Sequence, residues 1–394
     1  MKVLFIHHGV ILGGAPLSLL YLARELERLP NIEVEIVCHS PVMQDFFSEN
    51  LKSPVNSWVD PRTFIGKLLI GWTGLHVFKK GAGAYRLLFA DLLKMPYSIL
   101  RQFIGLRKRK PDLVHLNSAT LFGSAIAARM AGIPIIWHIR EPLQGSEFQK
   151  RLVGGFIRKM AKAVIAISEE EADRLGQDPE KKVRVIYNPI NVEALDPERY
   201  DQNAEREKLG FSPADKLVLS LGGVNPRKGT LEIVESAHFV DEHTYFLVAG
   251  PPLPSDGIAG PYEAKIKEKL IKDKVIFTGN LENIVPLLAA CDVLVFAGTK
   301  PHFPRPAFEA WQMRKPVVVF EMPGVSNQVA QGVDGIIVQE MTGRALGMAL
   351  NEMLADYKSM KRMGESGRKK AEEKCNPASV ARQVVSVYRE VLGN

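Results

Sequence analysis

Short apolar runs alternate with helix-patterned stretches along this chain, and the alternation starts twice. Residues 3–7, 34–38, 113–116, 133–137 and 164–167 are apolar runs of strand length, with Ala- and Leu-rich segments between them. A second series follows at residues 217–221, 245–249, 275–278, 293–296 and 317–320. Runs that are apolar nearly throughout belong to strands buried on both faces, the condition of a parallel sheet covered by crossover helices. Two such series predict an α/β protein with two parallel sheets. Length agrees, because 394 residues exceed the roughly 250–300 at which a single core stops growing. The polar, acidic stretch from Tyr187-Asn-Pro-Ile-Asn191 to about Phe211 has the composition of a linker, and the domain boundary is expected near Asn191.

Composition removes several classes. An apolar fraction of 46% with 24% charged residues is that of a folded soluble chain and excludes wholesale disorder. No apolar run is long enough to span a bilayer. Met1 to Ile6 opens like a secretory signal, but the run stops at His7 and leads to a Gly-Gly turn, so a first buried strand is expected. Cys38, Cys291 and Cys375 are odd in number, far apart and in no metal-ligand spacing. They point to a reducing compartment without structural disulfides or cysteine-held metal. The net charge of +7 asks for an anionic partner without choosing among nucleic acid, membrane and phosphorylated substrate.

Local motifs choose better. Gly13-Gly14-Ala15 follows the first strand and opens a helix, where backbone can approach a ligand and amide groups can face an anion. A plain strand-to-helix turn reads the same glycines equally well. His138, in Ile135-Ile-Trp-His138-Ile-Arg140-Glu141, is expected at the carboxyl end of a buried strand, the edge at which open α/β sheets collect ligands. A packed histidine bonded to a carbonyl is the alternative, and Arg140 with Glu141 can form a local ion pair. Gly222-Gly223-Val-Asn225-Pro-Arg227-Lys228-Gly229 places two adjacent cations on the loop after a strand, suited to a diphosphate or to a solvated turn. Glu309, in Phe303-Pro-Arg305-Pro306-Ala-Phe-Glu309, opens a further helix, where it can accept from ribose hydroxyls or stabilise the helix dipole by about 0.3–1 kcal/mol. Together these describe a site for a nucleotide sugar.

The same residues resemble those of the retaining, two-domain glycosyltransferases of family four (glycosyl transferases group 1), over nearly the whole chain and most strongly from 183 to 338. The resemblance implies a GT-B fold: two Rossmann-like domains with parallel sheets facing across a cleft. It divides the chain into an acceptor-side domain at 1–191, a nucleotide-sugar domain at 192–375 and a last helix, 376–394, crossing back to the first domain. It implies catalytic roles for His138, Arg227 and Lys228. Donor contacts are implied for Gly13, Gly14, Asn225, Gly279, Asn280, Arg305, Pro306 and Glu309, with Gly279, Asn280 and Asp292 resembling the segment beneath the nucleobase. Uridine is the base favoured by family frequency. Transfer is expected with retention, without a metal or cofactor, because paired cations support the leaving diphosphate. Two positions depart from the pattern: Gly223 stands where relatives carry an arginine, with Arg227 nearby, and Pro301 stands in place of the first of two glutamates.

From 62 to 110 the chain carries eleven Lys or Arg against one acid, Asp91, among Phe64, Trp72, Phe78, Tyr85, Phe89, Tyr97 and Phe103. Apolar and basic residues interleaved at helical spacing suit a segment lying among anionic headgroups. The bland alternative is a helical insertion packed on its own domain, and nucleic acid is disfavoured for want of a recognised binding motif. The expected partners are therefore a nucleotide-sugar donor, a saccharide or lipid-linked acceptor and an anionic membrane surface, and the expected location is cytoplasmic, at the inner face of the membrane. The expected pathway is surface polysaccharide biosynthesis. A non-catalytic nucleotide-sugar-binding or scaffold protein of the same fold is the second reading, and an epimerase the third.

Overall fold

The computed structural model describes residues 1–9, 13–58, 82–143, 146–250, 259–300 and 303–393. The chain divides into two units, Met1–Pro189 with Pro377–Asn394, and Ile190–Asn376. Each is an α/β Rossmann-like domain on a parallel sheet.

The sheet of the first unit comprises β1 (Lys2–His7), β2 (Glu33–Cys38), β3 (Val55–Asn56), β4 (Leu113–Leu116), β5 (Ile135–Ile139), β6 (Ala163–Ala166) and β7 (Val183–Val185), in the order β3-β2-β1-β4-β5-β6-β7. All its pairings are parallel. The helices Gly14–Glu27 and Pro377–Leu392 cover one face, where Leu19, Leu22, Val384 and Tyr388 pack on Val3, Phe5 and Ile36. On the other face Leu4, Ile6, Val114 and Trp137 meet Leu106, Ala125 and Ile157 from the helices Ala82–Arg109, Phe122–Met130 and Glu147–Met160.

The second sheet comprises β8 (Lys216–Leu221), β9 (Thr244–Ala249), β10 (Val275–Gly279), β11 (Val293–Phe296), β12 (Val317–Phe320) and β13 (Gly335–Val338), ordered β10-β9-β8-β11-β12-β13, again all parallel. In each sheet the strand order reverses beside the first strand, between β1 and β4 and between β8 and β11. Such switch points splay consecutive crossovers to opposite faces and open a crevice at the carboxyl ends.

Three strands, β3, β7 and β13, lie outside the apolar runs of the sequence. The first two are only two and three residues long. The third begins at Gly335, where an added Cβ would lie 2.7 Å from Val317 Cγ2. β5 begins at Ile135, two residues later than its apolar run, because Gly132 turns at φ +73° and Pro134 has no amide to donate. His138 is consequently inside the strand.

The stretch expected to be a linker is structured. Asp201 caps a helix, Gln202–Lys208, by accepting from Ala204 N–H at 2.8 Å. Arg206 on that helix is only 5% exposed and bonds Asp292 Oδ1 at 2.5 Å and the Ala290 carbonyl at 2.9 Å. Asp292 also accepts from Leu217 N–H at 2.8 Å. Its polar sequence conceals a buried ion pair.

Trp311 secures the helix Arg305–Gln312. The ring is fully buried and donates through Nε1 to the Asp334 carbonyl at 2.8 Å. The Lys370 ammonium lies 4.8 Å from the ring centroid, pairs with the Asp334 carboxylate and donates to Gln328 O at 2.8 Å. Gly367, on the helix Tyr357–Cys375, leaves room for the indole: a Cβ there would lie 2.6 Å from Trp311 Cγ.

Candidate functional site

At the carboxyl edge of the second sheet, the loops after β8 and β11 are joined. Thr299 donates its amide to Arg227 O at 3.1 Å and its hydroxyl to Pro226 O at 2.9 Å. Gly229 turns at φ +66°, and a Cβ there would lie 2.8 Å from Ala297 Cβ, so this close approach admits no side chain. Thr230 Oγ1 accepts from Asn225 N–H at 3.0 Å and donates to Gly223 O at 2.9 Å. These contacts hold the turn Pro226–Lys228 over the switch point.

The two cations differ. Arg227 is exposed, whereas Lys228 is largely covered, its ammonium 4.8 Å from the Phe296 ring centroid and its stem against Gly222. Burial pulls its pKa down to about 8, still cationic at neutral pH. Asn225 holds the turn itself, its Oδ1 accepting from Arg227 N–H at 2.9 Å.

Arg305 and Pro306 begin the helix Arg305–Gln312, where a proline has no intrahelical bond to lose. Glu309 is the fifth residue of that helix, beyond the first turn in which the dipole is felt, and accepts from Arg305 Nε at 2.8 Å. The dipole reading therefore fails for Glu309. Gly279 ends β10 at φ +71° and its carbonyl accepts from Gly250 N–H at 2.9 Å, with Asn280 exposed just after it. Asp292 lies at the amino end of β11, on the opposite edge, held by Arg206 and Leu217, away from any base beneath which Gly279 and Asn280 would sit. Grooves beside Gln202, Asp292, Tyr357 and Met360 also belong to that opposite edge. Pro301 lies outside the described residues.

The carboxyl edge of the first sheet is polar and buried. Gly13 caps the helix Gly14–Glu27 with an extended φ of −171°, and an added Cβ would meet nothing within 4 Å among the described residues. Neither turn geometry nor packing there demands glycine. Along one row of the sheet stand His7, Asn117 and His138, with Asn117 Nδ2 3.1 Å from His7 Nδ1. Arg140 donates to Asn117 Oδ1 at 2.9 Å and to Asn188 Oδ1. Sequence gave these partners no signal, since each is an ordinary polar residue until the strands align. Glu141 accepts from Ser118 Oγ and from Ala119 N–H at 3.0 Å, while burial pushes its carboxyl above the usual range.

Burial also keeps the histidines neutral: it lowers His7 and His39 to about 3, His8 to about 4, and His115 and His138 well below their ordinary value. No group of three His, Cys, Asp or Glu among the described residues has a metal-holding arrangement. The first edge thus offers neutral histidines and amides around one buried guanidinium, that of Arg140, and the second a fixed cationic loop.

Residues 201–370 match the model of the family described as glycosyl transferases group 1, and residues 12–194 match that of glycosyltransferase family 4. An uncharacterised glycosyltransferase of Methanocaldococcus jannaschii is 26% identical over 58% of this chain, which spans 61% of that protein's length. The N,N'-diacetylbacillosaminyl-diphospho-undecaprenol alpha-1,3-N-acetylgalactosaminyltransferase of Campylobacter jejuni is 24% identical over 76% of the chain and 83% of its own length. Among solved structures, Anabaena HepE in complex with UDP-glucose superposes with a TM-score of 0.79 at 20% identity, covering 99% of this chain and 100% of that one.

Proposed function

The chain belongs to the glycosyl transferases group 1 family, and from that premise we propose that it moves a sugar, with retention of configuration, from a uridine diphosphate donor to a saccharide or lipid-linked acceptor. The observation that carries the reading is the joined pair of loops at the switch point between β8 and β11, which fixes Lys228 and Arg227 where a diphosphate can meet them. HepE, of the same fold, is described with UDP-glucose, which supports uridine; the Campylobacter relative acts on a lipid-diphosphate glycan, which supports the acceptor.

In this scheme the diphosphate takes the loop 222–229, its growing negative charge met by Lys228 and Arg227, so that no step is assigned to a metal. The ribose is accepted by Glu309, the base lies near Gly279 and Asn280, and Arg305 shares Glu309 with the ribose. Gly13 and Gly14 offer backbone amides at the start of a 14-residue helix to an oxygen of a ligand. Attack comes from the face that the diphosphate leaves, with no protein nucleophile.

Glu309→Gln tests the nucleotide site. Loss of a charge-assisted ribose contact is expected to weaken UDP-sugar binding by about 10–100-fold in calorimetry. Arg305→Met is the control for the intrahelical pair. Unchanged affinity in Glu309→Gln would remove the ribose role. A thermal-shift panel of uridine and guanosine diphosphate sugars identifies base and sugar together.

Membrane attachment through the first unit is part of the proposal. Of the segment 62–110, residues 62–81 lie outside the described residues, as do the side chains of Tyr85 and Phe89. The helix Ala82–Arg109 buries Ile99 and Leu106 on its own domain yet exposes Tyr97, Leu100 and Ile104 beside Arg101, Arg107 and Lys108. On the same sheet face, the helix Glu147–Met160 exposes Phe148 and Leu152 among Lys150 and Arg151. Apolar side chains rimmed by cations fit an anionic headgroup layer. The protein is expected to sediment with anionic vesicles at low salt, and Phe148→Ser with Leu152→Ser is expected to weaken this several-fold. Recovery in the supernatant with wild-type protein would defeat the attachment.

A further inference from the structure

Three buried side chains, distant in sequence, form one hydrogen-bonded line in the first unit. Tyr388 Oη lies 2.6 Å from His115 Nδ1, and His115 Nε2 lies 3.0 Å from His138 Nδ1. Tyr388 belongs to the helix Pro377–Leu392, His115 to β4 and His138 to β5; all three are 0% exposed. The line ends at His138 Nε2, which has no hydrogen-bond partner among the described residues.

The hydrogens on this line can be counted. Burial keeps the phenol protonated and both imidazoles neutral, so each ring carries one N–H. In one direction Tyr388 O–H donates to His115 Nδ1, His115 Nε2–H donates to His138 Nδ1, and His138 keeps its proton on Nε2. In the other, His138 Nδ1–H donates to His115 Nε2 and His115 Nδ1–H donates to Tyr388 Oη. The phenol hydrogen then needs another acceptor, and among the described residues Tyr388 bonds only to His115. The first direction leaves one buried atom without a partner, the second leaves two. Each direction leaves one buried donor without an acceptor, but the second also leaves His138 Nε2 as a buried acceptor without a donor, so the first direction is the less costly and is the one adopted.

We propose that Tyr388 and His115 are positioning residues that fix His138 with its proton on Nε2, so that His138 meets an oxygen of the sugar ligand as a hydrogen-bond donor and not as a base. The ligand class rests on the proposed function; the tautomer does not. Donation from a neutral ring held out of bulk water is stronger than the same bond at a wet surface. It also separates His138 from proton abstraction: an Nε2 that already carries hydrogen cannot take one from an acceptor hydroxyl.

Long-range proton–nitrogen correlation on the nitrogen-15-labelled full chain, without sugar, reads the tautomer directly, with His138→Gln identifying the resonances. A protonated Nε2 and an unprotonated Nδ1 are expected for His138. Tyr388→Phe removes the fixed donor while keeping the ring, and is expected to shift His138 to a mixture of tautomers. With UDP-sugar its kcat/KM is expected to fall about tenfold while the fold persists with a Tm lowered by only a few degrees, the loss of one buried hydrogen bond. His138→Gln, which keeps an N–H near the Nε2 position, is expected to retain more activity than His138→Ala. Finding the proton on Nδ1 in the wild-type chain, or an unmoved tautomer in Tyr388→Phe, overturns the proposal. Intact tautomers without any UDP-sugar binding overturn the proposed function instead and leave this assignment standing.

Discussion

Lys228→Ala is expected to lower kcat/KM for the nucleotide-sugar donor by about 10²–10³-fold, the scale of losing one preorganised group aimed at developing charge. The ammonium is held by more than its own flexibility. Its stem runs beside Gly222, where φ is +140° and a Cβ would lie 2.9 Å from Lys228 Cγ, and its head lies over Phe296. A cation fixed in place reorganises little when a diphosphate forms or departs.

The same burial gives the wild-type protein a pH signature that Lys228→Ala lacks. The folded pKa of about 8 lies below the ordinary 10.5, so between these values the unfolded chain binds the extra proton and the fold gains stability as pH rises. Donor binding runs the other way. The charge is lost as pH rises through about 8 in the ligand-free protein, so affinity is expected to fall above that pH, with proton uptake on binding. Calorimetry in two buffers of different ionisation heat measures that uptake. Wild-type binding without it at pH 9, or full activity in Lys228→Ala, would remove Lys228 from the site.

Trp311→Ala is expected to destabilise the second unit by about 3–5 kcal/mol, since a fully buried indole leaves a cavity that rigid neighbours cannot fill. The Asp334 carbonyl also loses its donor and Lys370 loses the ring it lies over. Gly367→Val reaches the same place from the facing helix by forcing the indole out. Urea unfolding of both variants measures the effect, and a change under about 1 kcal/mol in Trp311→Ala would mean that the helix carrying Glu309 is secured by other contacts. Because Trp311 and Glu309 share that helix, loss of donor affinity in these variants is expected to track loss of structure.

The fold was legible because short, nearly continuous apolar runs alternating with helical patterns mark buried parallel strands, and those runs recur in two series. Legibility failed where a strand was too short to leave a pattern, as in Val55–Asn56 and Val183–Val185, or where polar residues were structural. Arg206 and Asp292 read as linker and ligand contact, yet each satisfies the other below the sheet. Arg227 and Lys228 could be placed from sequence because a strand-end loop rich in glycine has a defined geometry. Glu309 was singled out by resemblance to the second of the family's two glutamates, but its bond to Arg305 was not foreseen, since either residue could have faced solvent. The line from Tyr388 to His138 had no local signal at all: 273 positions separate Tyr388 from His115, and only the folded sheet brings them together.

The last helix, Pro377–Leu392, supplies Val380, Ala381, Val384, Val385, Val387 and Tyr388 to the core that Val3 and Phe5 begin. A ribosome making this protein releases the second unit whole while the first still lacks one wall. The usual order of synthesis, in which what emerges first is finished first, is thereby reversed. The nascent amino-terminal half must keep an oily surface out of harm until residues 377–392 have been made, and a stop codon near residue 376 would spoil the half of the molecule made earliest.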